Sequence, residues 1–204
     1  MSPSSATRDC PRPAALAARA NPAIAVDPRE GPGPAPATRA APVIRQAEDR
    51  DWPSIWKLLE PVFREGETYA FAVDIGEREA RAIWLESPAA TFVATNDEGA
   101  VLGTYYIKAN QAGGGSHVCN CGYAVAAQAR GQGVASAMCE HSQREALARG
   151  YRAMQFNLVV STNRAAVRLW QKHDFAIVGV LPGAFRHPRL GFVDACVMYK
   201  ELRT

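Results

Sequence analysis

Two glycines, Gly131 and Gly133, stand one residue apart in the stretch AQARGQGVAS, where an apolar strand pattern changes to a helix pattern. Glycine at a helix start costs about 0.5–1 kcal/mol relative to alanine, so a pair there needs a physical reason. The start of a helix has unpaired backbone N–H groups and about half a positive charge, and glycines leave them accessible and permit positive φ values. The pair therefore predicts a backbone cradle for a phosphate group; a plain turn is the alternative.

The segments around this loop alternate between strand and helix patterns. From residue 43 they predict, in order, a strand, two helices, three strands, a helix, a strand, a helix and two strands. Asp51 is the expected N-cap of the first helix, 76–87 is expected to be the second, and Thr162 or Asn163 should cap the last. Residues 1–42 are rich in Ala, Pro and Arg with few large apolar side chains, which predicts a disordered tail ahead of a domain over 43–204.

Overall charge and cysteine content narrow the class of protein. The net charge of +3 arises without a long basic run, so a nucleic-acid partner is not expected. No apolar run is long enough to span a membrane and no signal core is visible, which predicts a cytoplasmic protein. The five cysteines have no metal-ligand spacing, so we expect no metal site and read Cys119 and Cys121 as packing residues on one strand face. Apolar closing strands make a homodimer a reasonable expectation.

The glycine loop fails the two common nucleotide motifs. A P-loop needs a lysine after its last glycine, and a dinucleotide-binding turn needs a glycine where Ser136 stands. Gln128-x-x-Gly131-x-Gly133 instead resembles the acetyl-CoA pyrophosphate loop of the GNAT acetyltransferase superfamily. Some thirty residues later, NRAAVRLWQKHDF (163–175) is similar to the closing element of the same superfamily. The resemblance covers residues 43–202.

The resemblance implies a fold and a co-substrate. The fold would be the α+β acyl-CoA N-acyltransferase fold, with a central, mostly antiparallel mixed sheet of about seven strands and about four helices. Acetyl-CoA would be the co-substrate, with its pantetheine arm lying like an extra strand beside the strand of Cys121. The residues that the resemblance places at the cofactor are Tyr123, Val125, Gln128, Ala129, Arg130, Gly131, Gln132, Gly133, Val134, Ala135, Asn163 and Trp170.

Two positions depart from the superfamily pattern. Trp170 stands where a tyrosine usually protonates the leaving thiolate, and Asp174 replaces a glycine. The tryptophan and three asparagines resemble the azetidine-2-carboxylate and proline-analogue N-acetyltransferases. That likeness implies catalytic roles for Asn157 and Asn120, with Asn120 also holding the substrate and Asn163 contacting the cofactor. The plain alternatives are a strand-edge amide at Asn157 and a simple helix cap at Asn163.

The proton acceptor is harder to predict. Glu65 and Glu67, after the first helix, lie in the region that lines acceptor sites in this superfamily, but both could be solvated turn residues. Arg186, His187 and Arg189 are expected in a loop between the last strands. Backbone N–H groups from Gly122 to Val125 could stabilise the oxyanion. Acetyl transfer through Cys121 is a competing route.

Three functions remain open at this point. The first is direct acetyl transfer from acetyl-CoA to a small-molecule amine, such as an amino acid or a proline-like analogue. The second is acetylation of proteins or peptides. The third is a non-catalytic acyl-CoA-binding module that lost its thiolate acid at Trp170.

Overall fold

A seven-stranded sheet runs through the protein in the order β1-β2-β3-β4-β5-β7-β6. The computed structural model describes residues 41–203, so nearly all of the expected tail, 1–42, lies outside the described residues. Neighbouring strands are antiparallel except β4 and β5, which are parallel. The strands are β1 (Val43–Gln46), β2 (Ala90–Thr95), β3 (Val101–Ala109), β4 (Val118–Val125), β5 (Ala153–Val160), β6 (Ala176–His187) and β7 (Gly191–Glu201).

Four α-helices connect these strands within the described residues. The order of elements agrees with the order predicted from the sequence. The expected second helix is α-helical only in its first half and continues as a π-helix over Ala82–Glu86. The helices are α1 (Trp52–Glu65), α2 (Glu77–Arg81), α3 (Val134–Ala148) and α4 (Arg164–Lys172).

Asp51 and Asn163 both occupy the predicted N-cap positions, but only Asn163 makes a side-chain capping bond. Asn163 Oδ1 accepts the backbone N–H of Ala166 at 3.1 Å, as a helix N-cap does. Asp51 makes no such bond to its helix, because its carboxylate pairs with both Nη atoms of Arg45 at 2.7 Å and accepts the N–H of Glu48. The Arg45 partner lowers the pKa of Asp51. This pair ties β1 to the start of α1.

Two apolar cores sit on opposite faces of the sheet. One is centred on α1 and contains the fully buried side chains of Ile55, Leu59 and Trp84. The other lies under α3 and includes Met138 and Cys139, with small buried side chains that let the helix approach the strands closely. The part of the sheet formed by β2, β3 and β4 is thus covered on both faces.

The last hairpin differs from expectation. β6 extends to His187, so Arg186 and His187 belong to a strand and only Arg189 lies in the connecting turn. The register shifts between Leu181 and Phe185 let this strand accommodate Pro182, which has no N–H to donate. β6 is one of the two edge strands of the sheet, and β1 is the other.

Among residues 41–203, no helix is long and apolar enough to cross a membrane.

Candidate active site

The parallel strands β4 and β5 pair at their first residues only. The paired positions are Val118 with Ala153 and Cys119 with Met154, and beyond them the two strands diverge. The backbone of β4 alternates its hydrogen-bonding direction, and the N–H of Ala126 points to Leu102 of β3. The N–H groups of Tyr123 and Val125 therefore face the gap between β4 and β5. An extended ligand that contains amide groups could hydrogen-bond to this open edge of β4 as a neighbouring strand would.

The glycine loop closes one end of the gap. Gly131 and Gly133 have φ values of 74° and 80°, and α3 begins directly after the second. A Cβ at either glycine would meet nothing within 4 Å, so glycine is needed for the backbone conformation and the space above the loop is open. Within the loop, Gln132 Nε2 donates to the C=O of Gln128 at 2.6 Å, and Ala129 is buried beneath it. The predicted glycine conformation is confirmed.

The other proposed cofactor residues surround this loop and gap. Arg130 is extended and exposed, while Val134 is buried and Ala135 half-buried in the first turn of α3. The first N–H groups of α3 come directly after Gly133. Because glycine has no side chain, Gly133 leaves these groups uncovered. This arrangement can bind an anion through backbone donors.

A cavity of about 380 Å³ opens between the diverging strands. Trp170 is 8% exposed and lies with its ring centroid 4.8 Å from those of both Tyr123 and Phe156. Its indole therefore forms part of the cavity wall, and its N–H has no acidity near neutral pH with which to protonate a thiolate. Of the described residues that line the cavity, none carries a charge: Thr68, Tyr69, Ala70, Phe71, Tyr106, Asn120, Cys121, Gly122, Tyr123, Phe156, Asn157, Leu158, Val159, Val160, Asn163, Ala166 and Trp170.

The predicted asparagines meet at the rim of this cavity. Asn120 Nδ2 donates to the C=O of Gln155 at 2.8 Å, and so replaces a ladder bond at the point where β4 and β5 separate. Asn157 is exposed on β5. Its Oδ1 accepts from Gln155 Nε2 at 2.8 Å, and its Nδ2 donates to Asn110 Oδ1 at 2.7 Å. The amide is oriented by the protein.

Three aromatic residues of the cavity escaped the sequence analysis. Tyr69 follows α1 and donates its hydroxyl to the C=O of Tyr123 at 2.8 Å, on the edge that faces the gap, and its ring stacks on Phe71. Tyr106 packs against Gly122, where a Cβ would lie 2.5 Å from its ring. Burial raises the pKa of Tyr106 to about 12 and that of Tyr69 well above its usual value, so both hydroxyls stay protonated. The aromatic rings give the cavity a rigid apolar wall.

Glu65 and Glu67 line a neighbouring cavity of about 580 Å³. Glu67 Oε1 pairs with Arg189 Nη2 at 2.6 Å, and His187 Nε2 lies 3.9 Å from Glu67 Oε2. Glu65 is exposed at the end of α1. Glu67 is bound to a guanidinium, and this ion pair joins the segment after α1 to the last hairpin.

Cys121 lies under the cavity floor with its thiol buried. Burial raises the pKa of this thiol well above its ordinary value. A thiol is a poor nucleophile when it is protonated, so this environment argues against acetyl transfer through Cys121. The expected packing role of Cys119 and Cys121 is confirmed, because both are buried.

A sequence comparison with protein families matches residues 52–175 to the acetyltransferase (GNAT) family. The chain is 35% identical over 98 residues to N-acetyltransferase aca1 of Schizosaccharomyces pombe, and this match covers 48% of the chain and 47% of that protein. The chain thus spans about half the length of this curated relative.

Solved structures show the same fold over the described domain. A GCN5-related N-acetyltransferase from Kribbella flavida is 41% identical, with a TM-score of 0.76 over 79% of this chain and 98% of that one. A phosphinothricin acetyltransferase from Sinorhizobium meliloti, solved in complex with AcCoA, is 19% identical, with a TM-score of 0.71 over 80% of this chain and 89% of that one. The diverging strands, the glycine loop and these matches together establish that the chain belongs to the GNAT acetyltransferase family and has its fold.

Proposed function

We propose that the chain is an acetyl-CoA-dependent N-acetyltransferase that transfers the acetyl group directly to the amine of a small acceptor. The observation that carries this proposal is the continuous path from the Gly131–Gly133 loop, along the open edge of β4, to the aromatic cavity with Asn157 at its rim. The loop offers donors for a pyrophosphate and the edge offers donors for pantetheine amides. The pyrophosphate and the pantetheine arm of acetyl-CoA thus each have a complementary surface.

Acetyl-CoA, when bound, supplies the acetyl group as a reactive thioester. The N–H groups of Tyr123 and Val125 face the gap and can hydrogen-bond a carbonyl oxygen that gains negative charge during attack. The Asn157 amide retains one N–H and one oxygen lone pair with which to orient the acceptor amine. The attacking amine loses a proton as the C–N bond forms, and the thiolate leaves as the C–S bond breaks.

Proton removal needs no dedicated side chain in this scheme. Glu67 is held by Arg189, and the described residues that line the aromatic cavity carry no carboxylate. A fraction of any amine is in its free-base form below its pKa, and this fraction grows as the pH rises. Acetyl transfer should therefore become faster as the pH rises through the pKa of the acceptor.

The size and chemistry of the cavity support a small acceptor. A volume of about 380 Å³ lies within the range of small-molecule sites, and rings of Tyr69, Phe71 and Tyr106 bound it on the α1 side. An amino acid or a proline-like analogue would fit such a space, as the three asparagines suggested from the sequence. A peptide would need an open groove across this wall.

The experiment is a panel of free amino acids, cyclic secondary amines and short peptides, with release of the CoA thiol as the readout. Turnover with free amino acids or cyclic amines is expected. Turnover with peptides alone would favour a protein or peptide acetyltransferase. If acetyl-CoA raises the melting temperature as mass action requires and no acceptor is acetylated, the chain is a non-catalytic acyl-CoA-binding module and the proposal is wrong.

We also propose that two copies pair through the free edge of β6. Six of the eight exposed large hydrophobic side chains of the described residues belong to the last hairpin: Ile177, Val178, Val180, Leu181, Leu190 and Phe192. An edge strand of this kind is normally protected by charge or by a partner, and 175–185 contains no charged residue.

The charges that flank this segment suit pairing between identical copies. Asp174 precedes it and Arg186 follows it, and both are exposed. Antiparallel pairing about a two-fold axis at Val180 sets Asp174 beside Arg186 of the partner subunit. The edge is therefore complementary to itself.

A further inference from the structure

Four amide side chains connect three strands across the mouth of the gap. Asn120 on β4 bonds the backbone of Gln155 on β5, Gln155 Nε2 donates to Asn157 Oδ1, and Asn157 Nδ2 donates to Asn110 Oδ1. Asn110 directly follows β3 and was not singled out by any sequence motif. Of the four amide residues, Asn110 lies farthest from the gap, because β3 is on the far side of β4 from β5.

The two bonds on Asn157 have opposite polarity. Its oxygen accepts at 2.8 Å from Gln155, and its nitrogen donates at 2.7 Å to Asn110. The terminal torsion of an asparagine is soft, and an exposed amide can rotate by half a turn. A half turn here would set donor against donor and acceptor against acceptor, so only one orientation satisfies both partners.

Asn110 is well placed to impose that orientation. Its backbone N–H donates to the C=O of Val118 at 2.8 Å, which extends the β3–β4 ladder by one bond. Its side chain is half-buried. The backbone that carries this acceptor oxygen is therefore fixed relative to the sheet, although Asn157 itself is exposed.

We propose that Asn110 is a positioning residue for acetyl transfer, because its Oδ1 holds Asn157 with its remaining N–H and oxygen lone pair directed to the acceptor. This role rests on the proposed function. Asn110 does not touch the acceptor; it acts through Asn157. Its backbone bond to β4 is made at Val118, on the side of the strand that faces β3 and not the gap, so binding of acetyl-CoA should not depend on it.

The test compares Asn110→Ala, which removes the acceptor oxygen, with Asn110→Asp, which keeps one. Asn110→Ala should lower kcat by about tenfold or more at saturating acceptor, while KM for acetyl-CoA stays within about twofold. Asn110→Asp should recover most of the lost rate, since a carboxylate accepts the same N–H. Gln111→Ala, at the next and exposed position, is the matched control and should behave as the wild type.

A double-mutant cycle with Asn157→Ala separates positioning from plain structural support. Asn110→Ala should cost little further rate when Asn157 is already alanine, because the group it positions is gone. Full additivity of the two losses, or an Asn110→Ala enzyme as fast as the wild type, would overturn the role of Asn110 while leaving the proposed function intact. A wild-type protein that acetylates no acceptor would overturn both.

Discussion

Trp170 changes which groups can donate a proton to the leaving thiolate. A tyrosine in this position could donate a proton, whereas the indole packs between Tyr123 and Phe156 and acts as a wall. The three tyrosines that line the cavity, Tyr69, Tyr106 and Tyr123, have pKa values raised by burial, so they are weak acids there. The leaving thiolate would then take its proton from the attacking amine or from solvent.

Replacing Cys121 tests whether the transfer is direct. Cys121→Ala should keep most of the acetyl-transfer rate, because a buried thiol with a raised pKa is not a nucleophile near neutral pH. The smaller side chain should cost about 1 kcal/mol of stability through a small cavity. Steady-state rates and thermal melts check both effects.

The control for that variant is Cys139→Ala, a buried thiol on α3 that does not line the cavity. Both variants should lose a similar amount of stability and keep activity. Transfer that disappears with Cys121→Ala alone would indicate an acetylated cysteine and contradict direct transfer.

Residues with a local signature could be predicted from the sequence. Gly131 and Gly133 have positive φ values, and Asn163 caps α4, since both features depend on neighbours in the chain. Asn110, Tyr69 and the Glu67–Arg189 pair could not be predicted, because each depends on a partner 47, 54 or more residues away. Asp174 is the one described non-glycine residue with positive φ, at 65°, where the superfamily pattern has glycine.

The element that matters most for cofactor binding is α3 with its two ends. Gly133 precedes the helix with φ 80° and Gly150 follows it with φ 85°, and a Cβ at either position would meet nothing within 4 Å. The two sites are therefore matched in backbone strain. They differ in function, because only the first lies at the proposed pyrophosphate cradle.

Alanine at each end of α3 separates stability from binding. Gly133→Ala and Gly150→Ala should each destabilise the protein by about 1 kcal/mol, since alanine is disfavoured at positive φ. Gly133→Ala alone should weaken acetyl-CoA binding, by about tenfold or more in Kd by isothermal titration calorimetry. Equal affinity for acetyl-CoA in the two variants would contradict the placement of the pyrophosphate at this loop.

Elements with strong periodicity followed the sequence, and irregular ones did not. The apolar spacing of α1 and the two apolar runs on either side of the turn NDEG were sufficient to predict α1, β2 and β3. The π-helix after α2 and the extension of β6 through Pro182 depend on packing and on register with β7, which no local pattern reports.

At the scale of the whole molecule, the sheet has two free edges with different chemistry. β1 forms one edge and β6 the other. β1 has four residues, including Arg45, whereas β6 has twelve and is uncharged until Arg186. This asymmetry predicts that the molecule associates through β6 and not through β1.

A lysine on each edge tests that prediction. The wild-type protein should be a dimer by light scattering, with twice the 22.0 kDa mass of one chain. Val180→Lys should yield a folded monomer, because a charge on the paired edge must be desolvated. Val43→Lys, at a position of β1 that is 55% exposed against 52% for Val180, should remain dimeric. A monomeric wild type, or a dimer that survives Val180→Lys, would refute pairing through β6.

The most direct test of the account follows acetyl from acetyl-CoA to an amine by mass spectrometry in wild type and Asn157→Ala. The wild type should yield an N-acetylated small amine and free CoA in equal amounts. Asn157→Ala should bind acetyl-CoA with an unchanged Kd and form product at least about tenfold more slowly, because its amide orients the amine and not the cofactor. Equal rates in the two proteins, or acetyl-CoA binding with no acetylated amine in either, would contradict it.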